Sequence, residues 1–147
     1  MGSVYYKFIY QMKKVIICDL DGTLCLYDRS TGKHYDRDYE NDTINPAVRY
    51  ILDGNDQYNG ILFVSGRKDK YRDVTQKWLD AYGFGNYPLF MRVDEDYRKD
   101  SIIKTEIYEK NIKGKYEVLF VLDDRNQVVD MWRSLGLTCL QVAEGDF

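Results

Sequence analysis

The stretch Val15-Ile16-Ile17-Cys18-Asp19-Leu20-Asp21-Gly22-Thr23 decides how the rest of the chain is read. Its four leading apolar residues are too few for a helix and lack the polar alternation of a half-exposed strand. They fit a parallel strand covered on both faces. The run then breaks into two carboxylates one residue apart, followed by a glycine that permits a sharp turn. Two other runs are built the same way. Ile61-Leu62-Phe63-Val64 leads into Ser65-Gly66-Arg67, and Val118 to Leu122 leads into Asp123-Asp124. Leu89 to Val93 and Thr138 to Val142 are weaker strand candidates.

Helix-period segments lie between these runs. Tyr71, Val74, Trp78, Leu79 and Tyr82 recur at helical spacing, as do Ile102, Ile103, Ile107 and Tyr108, and Val128, Val129, Trp132 and Leu135. Gly83 and Gly136 stand where two of these helices should stop, and Trp78 and Trp132 read as core anchors. The alternation predicts an α/β chain: a single Rossmann-like domain over residues 15–147, with a mainly parallel sheet and right-handed crossovers. At 147 residues the chain is long enough for one such core. Sheets of this kind place their site at the carboxyl ends of the strands, where Asp19, Asp21, Ser65, Arg67, Asp123 and Asp124 are expected to meet. Residues of about 25–45 lack a core pattern and interleave Tyr27, Arg29, Lys33, His34, Tyr35, Arg37 and Tyr39. They predict a small flap over that rim. Residues 1–14 form a leader without an assignment; they lack the apolar core and cleavage site of a signal peptide.

A carboxylate at the end of a strand can attack phosphorus, while a second one protonates the leaving oxygen and later activates water. Asp19 and Asp21 are the candidates for these two parts. Gly22 lets backbone N–H groups approach phosphate oxygens. Four carboxylates on one rim repel each other unless a cation sits among them, and magnesium suits such a setting. Asp123 and Asp124 could alternatively cap the helix starting near Asn126; that reading explains one acid but not two. Ser65 and Arg67 suit phosphate, by a hydroxyl with backbone N–H and by a charged fork. A serine nucleophile would need a base, and His34, in the flap, is the one histidine. Lys104 falls on a helix whose exposed face carries lysines anyway, so its position alone decides nothing.

The balance of 21 Lys+Arg against 24 Asp+Glu gives a net charge of -3, which excludes broad charge-driven coating of nucleic acid but not a local phosphate pocket. Three cysteines, without a C-x-x-C pair, predict a reducing, cytoplasmic setting. Alternation turns Cys18 to the face opposite Asp19. The longest apolar runs are far short of a membrane span, so no membrane partner is expected.

These residues resemble the haloacid dehalogenase superfamily of phosphohydrolases. Asp19-Leu20-Asp21-Gly22-Thr23 is similar to its first motif, Ser65 to its second, a downstream lysine to its third and Asp123-Asp124 to its fourth. Further strings resemble the 3′-phosphatase domain of phage polynucleotide kinase-phosphatases: Ile44-Asn45-Pro46, Val64-Ser65-Gly66-Arg67, Arg98-Lys99-Asp100, Asp123 to Arg133 and Gln141 to Phe147. The resemblance runs from about Val15 to the last residue. It implies a haloacid dehalogenase-like fold, with Asp19 as nucleophile, Asp21 as acid-base, and Ser65 and Lys104 on phosphate. It implies Mg2+ held by Asp123 and Asp124, with Asp19 and the backbone carbonyl of Asp21. Thr23, Gly66, Arg67 and Asp100 would complete the phosphate and substrate contacts. The family's flap arginine precedes a Tyr-Asp pair; here Lys33-His34-Tyr35-Asp36 stands there, and lysine lacks the bidentate fork.

The phage enzymes also carry a P-loop kinase, and no G-x-x-x-x-G-K-[ST] occurs in this chain. The implied partners are DNA or RNA 3′-phosphate ends, with a separate or excised kinase domain. The expected function is removal of 3′-phosphates from polynucleotide ends in repair. A nucleotidase or small-phosphoester phosphatase is the alternative within the superfamily, and a decayed module that only binds nucleic-acid ends is the alternative outside enzymology.

Overall fold

The computed structural model describes residues 12–31, 34–55 and 58–147. In chain order its elements are β1 (Lys13–Cys18), β2 (Cys25–Leu26), β3 (Thr43–Ile44), α1 (Pro46–Asn55), β4 (Gly60–Lys68), α2 (Arg72–Ala81), β5 (Leu89–Arg92), α3 (Asp100–Asn111), β6 (Tyr116–Asp123), α4 (Asn126–Ser134) and β7 (Cys139–Gln141). Five strands form one parallel sheet in the order β5-β4-β1-β6-β7. The strand that opens the sequence argument is therefore central, which is why it is apolar on both sides. It also starts two residues before the apolar run, at Lys13, inside the stretch left unassigned; residues 1–11 lie outside the described residues.

Side-chain alternation divides the core in two. Ile16, Cys18, Ile61 and Phe63 pack with Val48, Leu52, Trp78 and Leu79, so α1 and α2 cover one face. Val15, Ile17, Leu62, Val64 and Val121 pack with Val128, Val129 and Trp132, so α4 covers the other, beside α3. Cys18 falls on the first face, wholly buried, and burial pushes its thiol pKa up. Gly83 and Gly136 follow their helices with φ of 85° and 83°, the left-handed conformation that ends a helix cheaply only at glycine.

The flap is a chain excursion between β2 and β3, which pair antiparallel at its base. Trp78 pins it to the body: its indole N–H donates to the Asp42 carbonyl at 2.9 Å. Its tip is tied through Asp36, whose φ of 50° is rare for a residue with a side chain. The Asp36 carboxylate accepts from Tyr71 at 2.8 Å and from Lys68 at 3.1 Å. Among the described residues, no helix is long and apolar enough to cross a membrane.

Candidate active site

The carboxyl ends of β1 and β6 bring Asp19, Asp123 and Asp124 together, all buried, with ligand oxygens within 4.8 Å of one another. Asp19 continues the alternation of Val15 and Ile17, so its side chain meets Lys104 of α3. The Lys104 ammonium donates to Asp19 Oδ1 at 2.7 Å and to Asp123 Oδ2 at 2.8 Å. Thr23 Oγ1, also buried, lies 3.1 Å from Asp19 Oδ2 and 3.3 Å from Asp124 Oδ1. The Trp132 indole donates to Asp123 at 3.3 Å, so this core anchor also orients a carboxylate. Gly22 turns with φ of 80° so closely to Asp124 that a Cβ would overlap its carboxylate.

One ammonium does not balance three buried acids. Burial, then the charge of Asp123, pushes the Asp19 and Asp124 carboxyls above their ordinary pKa. Lys104 remains an ammonium because Asp123 and Asp19 outweigh the opposing effect of burial. Excess negative charge with clustered carboxylate oxygens fits a hard divalent cation such as magnesium. Arg29, half exposed on the flap, reaches Asp124 at 3.4 Å.

Asp21 belongs to a second cluster. Its carboxylate accepts from Arg67 Nη2 at 2.8 Å and from Arg37 Nη2 at 2.6 Å. Burial pushes its pKa up, but the two guanidiniums outweigh burial and hold it below the ordinary value. Asp42, another buried acid, accepts from the same two arginines at 2.9 and 2.7 Å. Removing it leaves two guanidiniums sharing Asp21. Asp42→Ala should therefore cost about 3 kcal/mol of stability, the low end for breaking a buried pair, measured by urea unfolding. An unchanged midpoint would show that Asp42 does not anchor the flap.

A cavity of about 490 Å³ opens above Asp19, Asp21 and Lys104. Gly66 lines it, and a Cβ there would come within 2.5 Å of the Asp100 carboxylate. Asp100 pairs with Arg92 and, at 2.9 Å, with Arg125, which follows directly on Asp124.

The family model described as "Polynucleotide kinase PNKP phosphatase domain" matches residues 13–147. The chain belongs to this family. It is 34% identical over 129 residues to a protein of Autographa californica nuclear polyhedrosis virus named as a putative bifunctional polynucleotide kinase/RNA ligase; the match covers 84% of this chain and 18% of that protein. Two solved structures are also similar. "Structure of the Pnkp1/Rnl/Hen1 RNA repair complex" has a chain with TM-score 0.87 and 45% identity, over 92% of this chain and 44% of that one. "Structure of Pnkp1/Rnl/Hen1 complex" has one with TM-score 0.86 and 45% identity, over 93% and 48%. The chain thus spans about a fifth of the curated relative and under half of the solved chains. The parallel sheet agrees with the haloacid dehalogenase-like fold expected from the resemblance.

The residues expected at the phosphatase site fall into three positions. Asp19, Asp21, Gly66, Asp100, Lys104, Asp123 and Asp124 line the cavity. Thr23, Ser65 and Arg67 are buried behind it. Thr23 steadies carboxylates, the Ser65 hydroxyl accepts from the Arg67 N–H at 3.1 Å, and Arg67 gives its fork to Asp21 and Asp42 rather than to open space. Lys33 lies outside the described residues. Among those described, the flap cation that reaches Asp21 is Arg37, just after the Tyr35-Asp36 pair. The helix-cap alternative is also resolved: α4 has Arg125 at its N-cap, without a side-chain cap, although Asp123 Oδ1 accepts from the Asp124 and Arg125 N–H groups. Asp42 and Arg92 stand in no pattern that separates them from surface charge, and Arg125 stands in the string after Asp124 without a role that the string assigns.

Proposed function

We propose that this phosphatase domain removes 3′-phosphates from polynucleotide ends by way of an aspartyl phosphate on Asp19. The observation that carries the chemistry is that two acids one residue apart, Asp19 and Asp21, line the same cavity. Asp19 is held by Lys104 at the base of an open cavity, whereas Asp21 is held as a carboxylate by two arginines. In the first half-reaction an Asp19 oxygen attacks phosphorus, the bond from phosphorus to the 3′-oxygen breaks, and Asp21 gives that oxygen its proton. In the second, Asp21 takes a proton from water, which attacks the same phosphorus and returns Asp19 with inorganic phosphate. Lys104 remains between Asp19 and Asp123 throughout, offsetting charge. Because Arg37 and Arg67 hold Asp21 as a carboxylate in the free domain, Asp21 takes a proton from solvent before the first half-reaction and regains one from the attacking water in the second. Asp19, the Asp21 backbone carbonyl, Asp123 and Asp124 would hold magnesium. When bound, the ion neutralises charge on the phosphoryl oxygens.

The choice of end follows from the relatives' names and from ligation chemistry. A ligase joins a 3′-hydroxyl to a 5′-phosphate. A phosphatase that works with a polynucleotide kinase and an RNA ligase serves both by clearing 3′-phosphates, and would undo the kinase's product by clearing 5′-phosphates. The repair-complex title of a similar structure supports the same setting.

The test is phosphate release from 3′-phosphorylated and 5′-phosphorylated oligonucleotides and from nucleoside 3′-monophosphates, with magnesium and with EDTA. Magnesium-dependent release from the 3′-phosphorylated oligonucleotide should dominate. Equal rates on 5′-ends would defeat the choice of end, and preference for the mononucleotide would turn the reading to a nucleotidase.

A further inference from the structure

The cavity is much larger than a phosphate needs, and of the aromatic rings in its lining (Tyr27, His34, Tyr35, Tyr39, Tyr97 and Phe147) Tyr97 is the most exposed. Tyr97 lines the cavity and is 74% exposed. Among the described residues its hydroxyl reaches Glu95, at 3.4 Å, so the ring is not turned outward to satisfy a strong hydrogen bond. The Lys68 ammonium stands 5.5 Å from the ring centroid.

A large exposed ring on a loop normally loses order, yet this loop is fastened on both sides of Tyr97. Arg92, buried at the end of β5, donates to the Asp96 carbonyl at 2.9 Å and to the Arg98 carbonyl at 2.5 Å. Its Nε donates to the Gly66 carbonyl at 2.9 Å, and it also pairs with Asp100. One guanidinium thus fixes the residues before and after Tyr97 to the same wall that borders the reacting phosphate. Outside, Arg98 is clamped by Asp96 at 2.7 Å and by Glu106 at 2.7 Å. The ring is presented in advance, which lowers the ordering cost of binding.

From this we infer that Tyr97 is a stacking platform for a nucleobase at the 3′ end of a single strand. This rests on the polynucleotide reading above and names the surface that would recognise the strand. Stacking on an aromatic ring is sequence-tolerant because every base has a π-face. The platform would therefore select for a nucleoside without selecting which one, as suits an enzyme that meets arbitrary ends.

The test uses a short 3′-phosphorylated oligonucleotide and a matched one whose last nucleotides are abasic, on wild type, Tyr97→Ala and Tyr97→Phe. Tyr97→Ala should raise KM for the base-bearing substrate by about 5-fold to 150-fold more than for the abasic one, as expected for about 1–3 kcal/mol of stacking. Tyr97→Phe should restore most of the loss. In an Asp19→Asn background, a 2-aminopurine placed at the 3′ end should be quenched on binding when Tyr97 is present, and the quenching should vanish when Tyr97→Ala is added. An equal KM change on both substrates, or Tyr97→Phe as poor as Tyr97→Ala, would overturn the platform. Loss of the end preference itself, in wild type, would instead overturn the functional reading beneath it.

Discussion

Asp19→Asn is expected to reduce kcat by a factor on the order of 10⁴ or more, the scale seen when a member of a catalytic unit is removed, while leaving the domain folded. The amide keeps the size of the carboxyl and can still accept from Lys104, but it cannot attack phosphorus. Single-turnover assays with a 3′-phosphorylated oligonucleotide measure the loss, and a variant retaining a tenth of the wild-type rate would remove the covalent route. The same substitution has a stability signature. Burial and the Asp123 charge raise the Asp19 pKa in the folded protein, so the folded state binds a proton there that the unfolded chain does not. In EDTA, this contribution makes wild type more stable as pH falls through the raised folded pKa toward the ordinary aspartate value of about 3.9. Asp19→Asn lacks it, and should unfold no more easily than wild type at neutral pH. Below that range the sign reverses, because Asp21, whose pKa is depressed by Arg67 and Arg37, loses its pairing as it protonates.

How much of this was legible follows from how each residue's environment is made. Asp19, Asp123 and the Ser65-Gly66-Arg67 string end continuously apolar runs, and such runs become central strands of a parallel sheet. Their convergence needed only the rule that strand ends carry the site. Pairing within the cluster was not legible. Arg67 reads as a phosphate fork, and the fold gives that fork to Asp21 and Asp42. Asp42 itself sits in an irregular segment, where a lone acid looks like surface charge, and it is buried with its carbonyl on the Trp78 indole and its carboxylate on Arg37 and Arg67. Lys104 follows Ile103 on α3, where its position alone decided nothing, and it is 2% exposed. The helix Pro46–Asn55 was readable and went unread: proline stands in its first turn, and Val48, Ile51 and Leu52 recur at three- and four-residue spacing.

Lys104→Met should damage both activity and stability. Methionine fills a similar volume but leaves Asp19 and Asp123 facing each other without the ammonium that stands 2.7 and 2.8 Å from them. Breaking a buried pair by removing one partner costs about 3–5 kcal/mol because the remaining charge stays desolvated, and here two charges remain. Unfolding in EDTA should show a loss of that size at neutral pH. Part of it should return as pH falls, because protonation of Asp19, whose pKa burial already raises, removes the repulsion. Magnesium should then stabilise the variant more than wild type, since a cation among the carboxylates replaces some of the missing charge. Turnover should stay low even at saturating magnesium, because the ammonium that offsets charge on Asp19 during attack is gone. Lys104→Arg should not rescue it: the planar guanidinium is wider than the ammonium and the position is closed to solvent. A Lys104→Met protein as stable as wild type in EDTA at neutral pH would show that the buried aspartates are not held by this lysine, and the charge balance proposed for the site would fail with it.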